Sequence, residues 1–93
     1  MTSPTVARQI VVHGKVQGVF FRSTARDKAV LLGLKGTVAN QTDGTVRIRV
    51  EGTAEAVDSF TEWCWTGPPR AEVEGVESED KSPIGFLEFR IER

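Results

Sequence analysis

The chain has 93 residues, enough for one small domain and too few for a second core. Its 12 basic and 13 acidic side chains nearly cancel, to a formal −1, which argues against a general nucleic-acid binder. A single cysteine excludes an internal disulfide, and the absence of a signal-peptide pattern or long apolar run points to a soluble, cytoplasmic protein with no membrane partner.

Residues 1–93 read as one domain, with 1–6 a flexible polar tail carrying Pro4. The first strand is expected over residues 8–14, where Ile10, Val11 and Val12 supply β-branched side chains. The stretch Gly14-Lys15-Val16-Gln17-Gly18-Val19-Phe20-Phe21-Arg22 follows. A helix should begin near Phe21 or Arg22, because Phe21, Ala25, Ala29 and Leu32 recur at helical spacing. Gly33 ends it, with Leu34 folding back as the apolar contact of a Schellman-type terminus. Val30 and Leu31 do not share one narrow stripe with these residues, so either the buried face is broad or one of them is exposed.

Residues 36–40 and 45–51 read as a hairpin through Asp43-Gly44. Val46, Ile48 and Val50 point inward in this reading, and Arg47, Arg49 and Glu51 outward. Thr53 is the expected N-cap of a second helix, with Glu55 near the positive end of its dipole. Val57, Phe60 and Cys64 form its buried face, flanked by Ala56 and Trp63, and Gly67-Pro68-Pro69 stops it. Trp65 lies off the stripe. Residues 71–76 form a further strand with a bulge expected at Gly75. Glu72, Glu74, Glu77, Glu79 and Asp80 make an acidic outer face, Lys81-Ser82-Pro83 a connecting loop. Leu87, Phe89 and Ile91 then alternate with Glu88, Arg90 and Glu92 in a short closing strand with one buried face. The order predicts an α+β sandwich, two helices on one face of an antiparallel sheet with an extra C-terminal strand.

The chemistry on offer is narrow. His13 and Cys64 are the sole histidine and cysteine, so no metal site of soft ligands can be built and no metal or cofactor is expected. His13 reads as an outward-facing strand residue, and Cys64 as a small buried hydrophobe. The glycine loop before the first helix has neither the Gly-Lys-Ser/Thr ending of a nucleotide loop nor a second βαβ half. It suits a small anion such as phosphate: unpaired helix-start amides, a favourable dipole and the fixed charge of Arg22 converge there. A plain strand-to-helix turn with a solvated arginine fits the same spacing. Asn40 reads either as a turn residue capping Thr42 or Asp43, or as an amide reaching toward the loop. The second option follows from a split βαβ sheet, in which the first and third strands are neighbours and the second lies beyond the third.

These residues resemble the acylphosphatase family. The motif Gly-x-Val-Gln-Gly-Val-x-Phe-Arg is met by Gly14, Val16, Gln17, Gly18, Val19, Phe21 and Arg22. A second motif is met in register by Gly36, Asn40, Gly44, Val46 and Gly52. Thr37 departs from it, standing where the family usually carries an aromatic residue, and this implies looser packing near Asn40. The resemblance implies a ferredoxin-like fold and hydrolysis of acyl phosphates to a carboxylate and inorganic phosphate, without a metal. It implies that Arg22 and the backbone of Gln17, Gly18, Val19, Phe20 and Phe21 bind the phosphoryl group, where inorganic phosphate or another anion could also sit. Asn40 would orient the attacking water. A monomer is expected. A phosphate-binding module without turnover is the second reading. RNA binding on the open sheet face is disfavoured, since His13, Arg47 and Arg49 bring no aromatic there.

Overall fold

In the computed structural model, which describes residues 4–92, the chain runs β1 (Val6–Lys15), α1 (Phe21–Leu31), β2 (Lys35–Asn40), β3 (Val46–Gly52), α2 (Ala54–Cys64), β4 (Glu72–Lys81) and β5 (Phe89–Glu92). Of the expected tail, residues 1–3 lie outside the described residues, and Val6 already belongs to β1. The strands form one sheet in the order β4-β1-β3-β2-β5. Each βαβ unit straddles a neighbouring strand, as the split arrangement requires. One expectation is corrected: the sheet is mixed, because β5 runs parallel to β2, with Val38 opposite Ile91. A chain that leaves β4 at one edge and crosses to the other edge arrives in that direction.

Ile10, Val12, Val38, Val46, Ile48 and Val50 line the helix-facing side of the sheet and lose all contact with water. Against them pack Phe21, Ala25 and Ala29 of α1 and Val57, Phe60 and Cys64 of α2. Burying side chains of this size contributes about 1.5–3 kcal/mol each for the larger ones, the main favourable term in a domain of this size. Val30 and Leu31 are both exposed, so the α1 stripe is narrow. Gly33 N–H donates to the Val30 carbonyl and Leu34 N–H to that of Ala29, which is the Schellman pair. Thr53 Oγ1 accepts from Ala56 N–H at 3.2 Å and caps α2. Trp65 lies exposed beyond the α2 end.

The acidic edge strand is longer than the sequence suggests. β4 continues through Lys81, which is therefore strand and not loop. The bulge is present: Gly14 faces Val73 while His13 faces Gly75, leaving Glu74 as the extra residue. Gly14 cannot be replaced there, since a Cβ would lie 2.2 Å from the Glu72 carbonyl oxygen. Leu87 corrects a further expectation, because it precedes β5 and is 89% exposed. The alternation holds only for Phe89 and Ile91.

Candidate active site

Strand direction decides which ends meet. β1 and β2 both run antiparallel to β3, so their C-terminal ends share one edge of the sheet. Asn40 pairs with Val46, which pairs with Val12, placing Asn40 level with Val12 two strands away, about 10 Å. The parallel β5 brings Ile91 to the same edge. The loop leaving β1 at Lys15 turns over this edge into α1.

That loop is pinned from beneath. Val16 and Val19 are buried, and the Phe21 ring packs 5.5 Å from the Trp63 ring, tying the start of α1 to α2. Gly18 (φ 73) and Phe20 (φ 64) take left-handed backbone in between. Phe20 occupies the N-cap position of α1 but offers no side-chain cap, and the first turn holds no acidic residue. The first α1 amide with a backbone partner is that of Thr24, bonded to the Phe20 carbonyl at 3.1 Å. Among the described residues, the amides of residues 17–23 have no backbone acceptor. By contrast, α2 has Thr53 as its cap and Glu55 in its first turn. Gly18, Phe20, Phe21, Arg22 and Ser23 of this stretch line a cavity of about 330 Å³ together with Val16, Asn40 and Ile91. Such a helix start carries roughly half a positive charge and accepts an anion.

A model of the acylphosphatase family matches residues 8–91 of this sequence. The chain belongs to the acylphosphatase family. It is 51% identical over 83 residues to an acylphosphatase of Pelotomaculum thermopropionicum, covering 88% of this chain and 90% of that one. Its fold superimposes on an acylphosphatase of Coxiella burnetii with a TM-score of 0.92 at 39% identity, covering 95% of this chain and 93% of that one. The acylphosphatase of Bacillus subtilis gives the same TM-score of 0.92 at 35% identity, with 95% and 99% covered. As an acylphosphatase the chain is a hydrolase of acid anhydrides whose substrates are acyl phosphates.

In this acylphosphatase, Arg22 and Asn40 come to one cavity from different elements, α1 and β2. Arg22 is half-buried and makes no ion pair among the described residues. The six loop residues named from the sequence divide in their roles. Gly18, Phe20, Phe21 and Arg22 line the cavity, whereas Val19 goes into the core. The Gln17 side chain turns the other way, and its Nε2 donates to the carbonyls of Gln41 (2.8 Å) and Thr45 (2.9 Å). It clamps the loop to the hairpin that carries Asn40. Asn40 is no local cap. Asp43 does that work, its Oδ1 accepting from Thr45 N–H (3.0 Å) and Thr45 Oγ1 (2.6 Å), and these bonds hold its carboxyl below the usual range.

Sequence reasoning passed over Val16, Ser23 and Ile91 as cavity residues. A hydroxyl next to Arg22 in the first turn was a local signal for Ser23. Nothing local signals Ile91, because only the parallel docking of β5 brings it there. Thr37 lies on the opposite side of β2 from Val38, in a groove with Phe86, Leu87 and Arg90, and Val38 beneath it is fully buried. His13 faces outward and sits 2.8 Å from Glu77. Burial pushes the Cys64 thiol far above its usual range, so it offers no nucleophile. Among the described residues, no helix is long and apolar enough to cross a membrane, and no three His, Cys, Asp or Glu side chains cluster as metal ligands.

Proposed function

We propose that the phosphoryl group of an acyl phosphate is held by the amides of the 17–21 loop and by the Arg22 guanidinium, while the Asn40 side-chain amide orients the attacking water. One observation carries this reading: Gly18, Phe20, Phe21, Arg22 and Ser23, whose amides have no backbone acceptor, line the same cavity as Asn40. Water attacks phosphorus, the bond between phosphorus and the carboxyl oxygen breaks, and the electron pair leaves with the carboxylate. The water's proton passes to a phosphoryl oxygen of the substrate, giving a carboxylate and dihydrogen phosphate. A carboxylate is a good leaving group, so positioning and charge stabilisation suffice without a metal.

The test is phosphate release from benzoyl phosphate in the presence of EDTA. Arg22→Ala and Asn40→Ala should each lower kcat/KM by a hundredfold or more, about 3 kcal/mol for one lost transition-state donor, with the circular dichroism spectrum unchanged. Wild-type rates in both variants would refute these roles. Binding of inorganic phosphate with no hydrolysis would make the domain a phosphate-binding module instead.

A further inference from the structure

Phe20 is not explained by the chemistry above. It stands at the position the glycine-loop motif leaves free, and phosphate binding asks only for its backbone amide. Yet it is an aromatic residue 71% exposed, held in a left-handed conformation (φ 64) that L side chains rarely adopt. Backbone strain of this kind persists where the surroundings over-determine it and collects at functional sites. A lone exposed apolar side chain on an open surface would mean nothing. Phe20 instead lines the same cavity as Arg22 and Asn40, and Ile91 of β5 is a second apolar wall.

The residues that line the cavity differ in exposure. Val16 and Phe21 are buried, Arg22 and Ile91 are half-buried, and Phe20 stands out into solvent. A phosphoryl group seated on the amides of residues 17–21 has to project its acyl group outward, past the rim. We infer that Phe20, with Ile91, is the platform for that acyl group, and that it selects acyl phosphates with an aromatic or apolar acyl part over small or charged ones. The inference rests on the proposed phosphate cradle and deepens it. An aromatic acyl group covers the exposed Phe20 ring and gains from offset or edge-on ring contact, whereas a methyl group is too short to cover it and a charged group would be desolvated without a partner.

The experiment compares benzoyl phosphate with acetyl phosphate for the wild type, Phe20→Leu and Phe20→Ala, and measures inhibition by inorganic phosphate in each. Phe20→Ala should lower kcat/KM for benzoyl phosphate about tenfold more than for acetyl phosphate, the difference lying mainly in KM. In that ratio Phe20→Leu should fall between the wild type and Phe20→Ala, and any loss of phosphate inhibition should be smaller than the loss on benzoyl phosphate. An equal loss on both substrates, or phosphate inhibition weakened as much as benzoyl phosphate hydrolysis, would make Phe20 a scaffold of the loop and overturn the inference. So would unchanged selectivity. A wild-type protein that hydrolyses neither substrate overturns the proposed function itself, and this inference with it.

Discussion

Gln17 is the residue whose work is least visible in the motif that contains it. The motif places it in the phosphate loop, but its side chain spends both amide protons on the hairpin, at the Gln41 and Thr45 carbonyls. It thereby fixes the distance between the anion cradle and Asn40, the two halves of the proposed site. Gln17→Glu would set a carboxylate against two carbonyl oxygens at nearly unchanged volume. A half-buried acceptor left facing acceptors costs about 1 kcal/mol or more and pushes the loop off the hairpin, so kcat on benzoyl phosphate should drop roughly tenfold. Inhibition by inorganic phosphate should hold, since the loop amides and Arg22 remain. Equal losses in both measurements would show that the loop itself had collapsed. Nothing local could reveal this role. The direction of the Gln17 side chain depends on a hairpin that the chain reaches more than twenty residues later.

At the scale of elements, the two helices treat the same geometry in opposite ways. α2 satisfies its start with Thr53 and Glu55, while α1 leaves its first amides without a cap or a backbone acceptor. The hairpin between β2 and β3 is built more conventionally, with Gln41 N–H donating to the Thr45 carbonyl and Gly44 N–H to that of Gln41. Asp43 locks this turn through Thr45, and those hydrogen bonds, the side-chain one first, lower its pKa. A depressed folded pKa adds stability that is present above the unfolded value and fades as pH falls through the folded one. Asp43→Asn should therefore melt below the wild type at neutral pH. The gap should begin to narrow as pH falls below about 4, the unfolded value, and close only below the lowered folded value, where the carboxyl is protonated in both states. Thermal melts between pH 2 and pH 7 check this, and a gap independent of pH would remove the charge from the explanation. Asp43-Gly44 was readable as a turn from sequence, because its chemistry is local.

For the whole molecule, the decisive connection is the segment over residues 82–88, which carries the chain from β4 to β5 across the sheet. Glu51 of β3 holds it down. Its carboxylate is buried and accepts the amides of Ile84 (2.7 Å), Gly85 (3.0 Å) and Phe86 (3.3 Å). The alternation of β3 placed Glu51 outward, which is right for the sheet face, but the crossing segment takes it out of water. Glu51→Ala leaves those amides without their acceptor and should cost about 3 kcal/mol, since hydrogen bonds to a charged group are worth more than neutral ones. That is roughly 12–24 °C in Tm for a domain of this size. Limited proteolysis should then cut within residues 82–88, and a cleavage pattern like that of the wild type would show that the segment is held by other means. Loosening β5 also loosens Ile91, so benzoyl phosphate should lose more rate than acetyl phosphate.

The sequence by itself determined the elements, the inward faces of β3 and α2, both helix ends and the family. Each of these rests on periodicity, capping or turn chemistry acting within a few residues. It also named Arg22 and Asn40, through motif spacing. Only the tertiary structure decided that β5 lies parallel to β2, that Leu87 is exposed, that Gln17 clamps the hairpin and that Ile91 closes the cavity. These depend on which strand edges pair and which loops cross, and such contacts form between segments whose local preferences carry no record of one another.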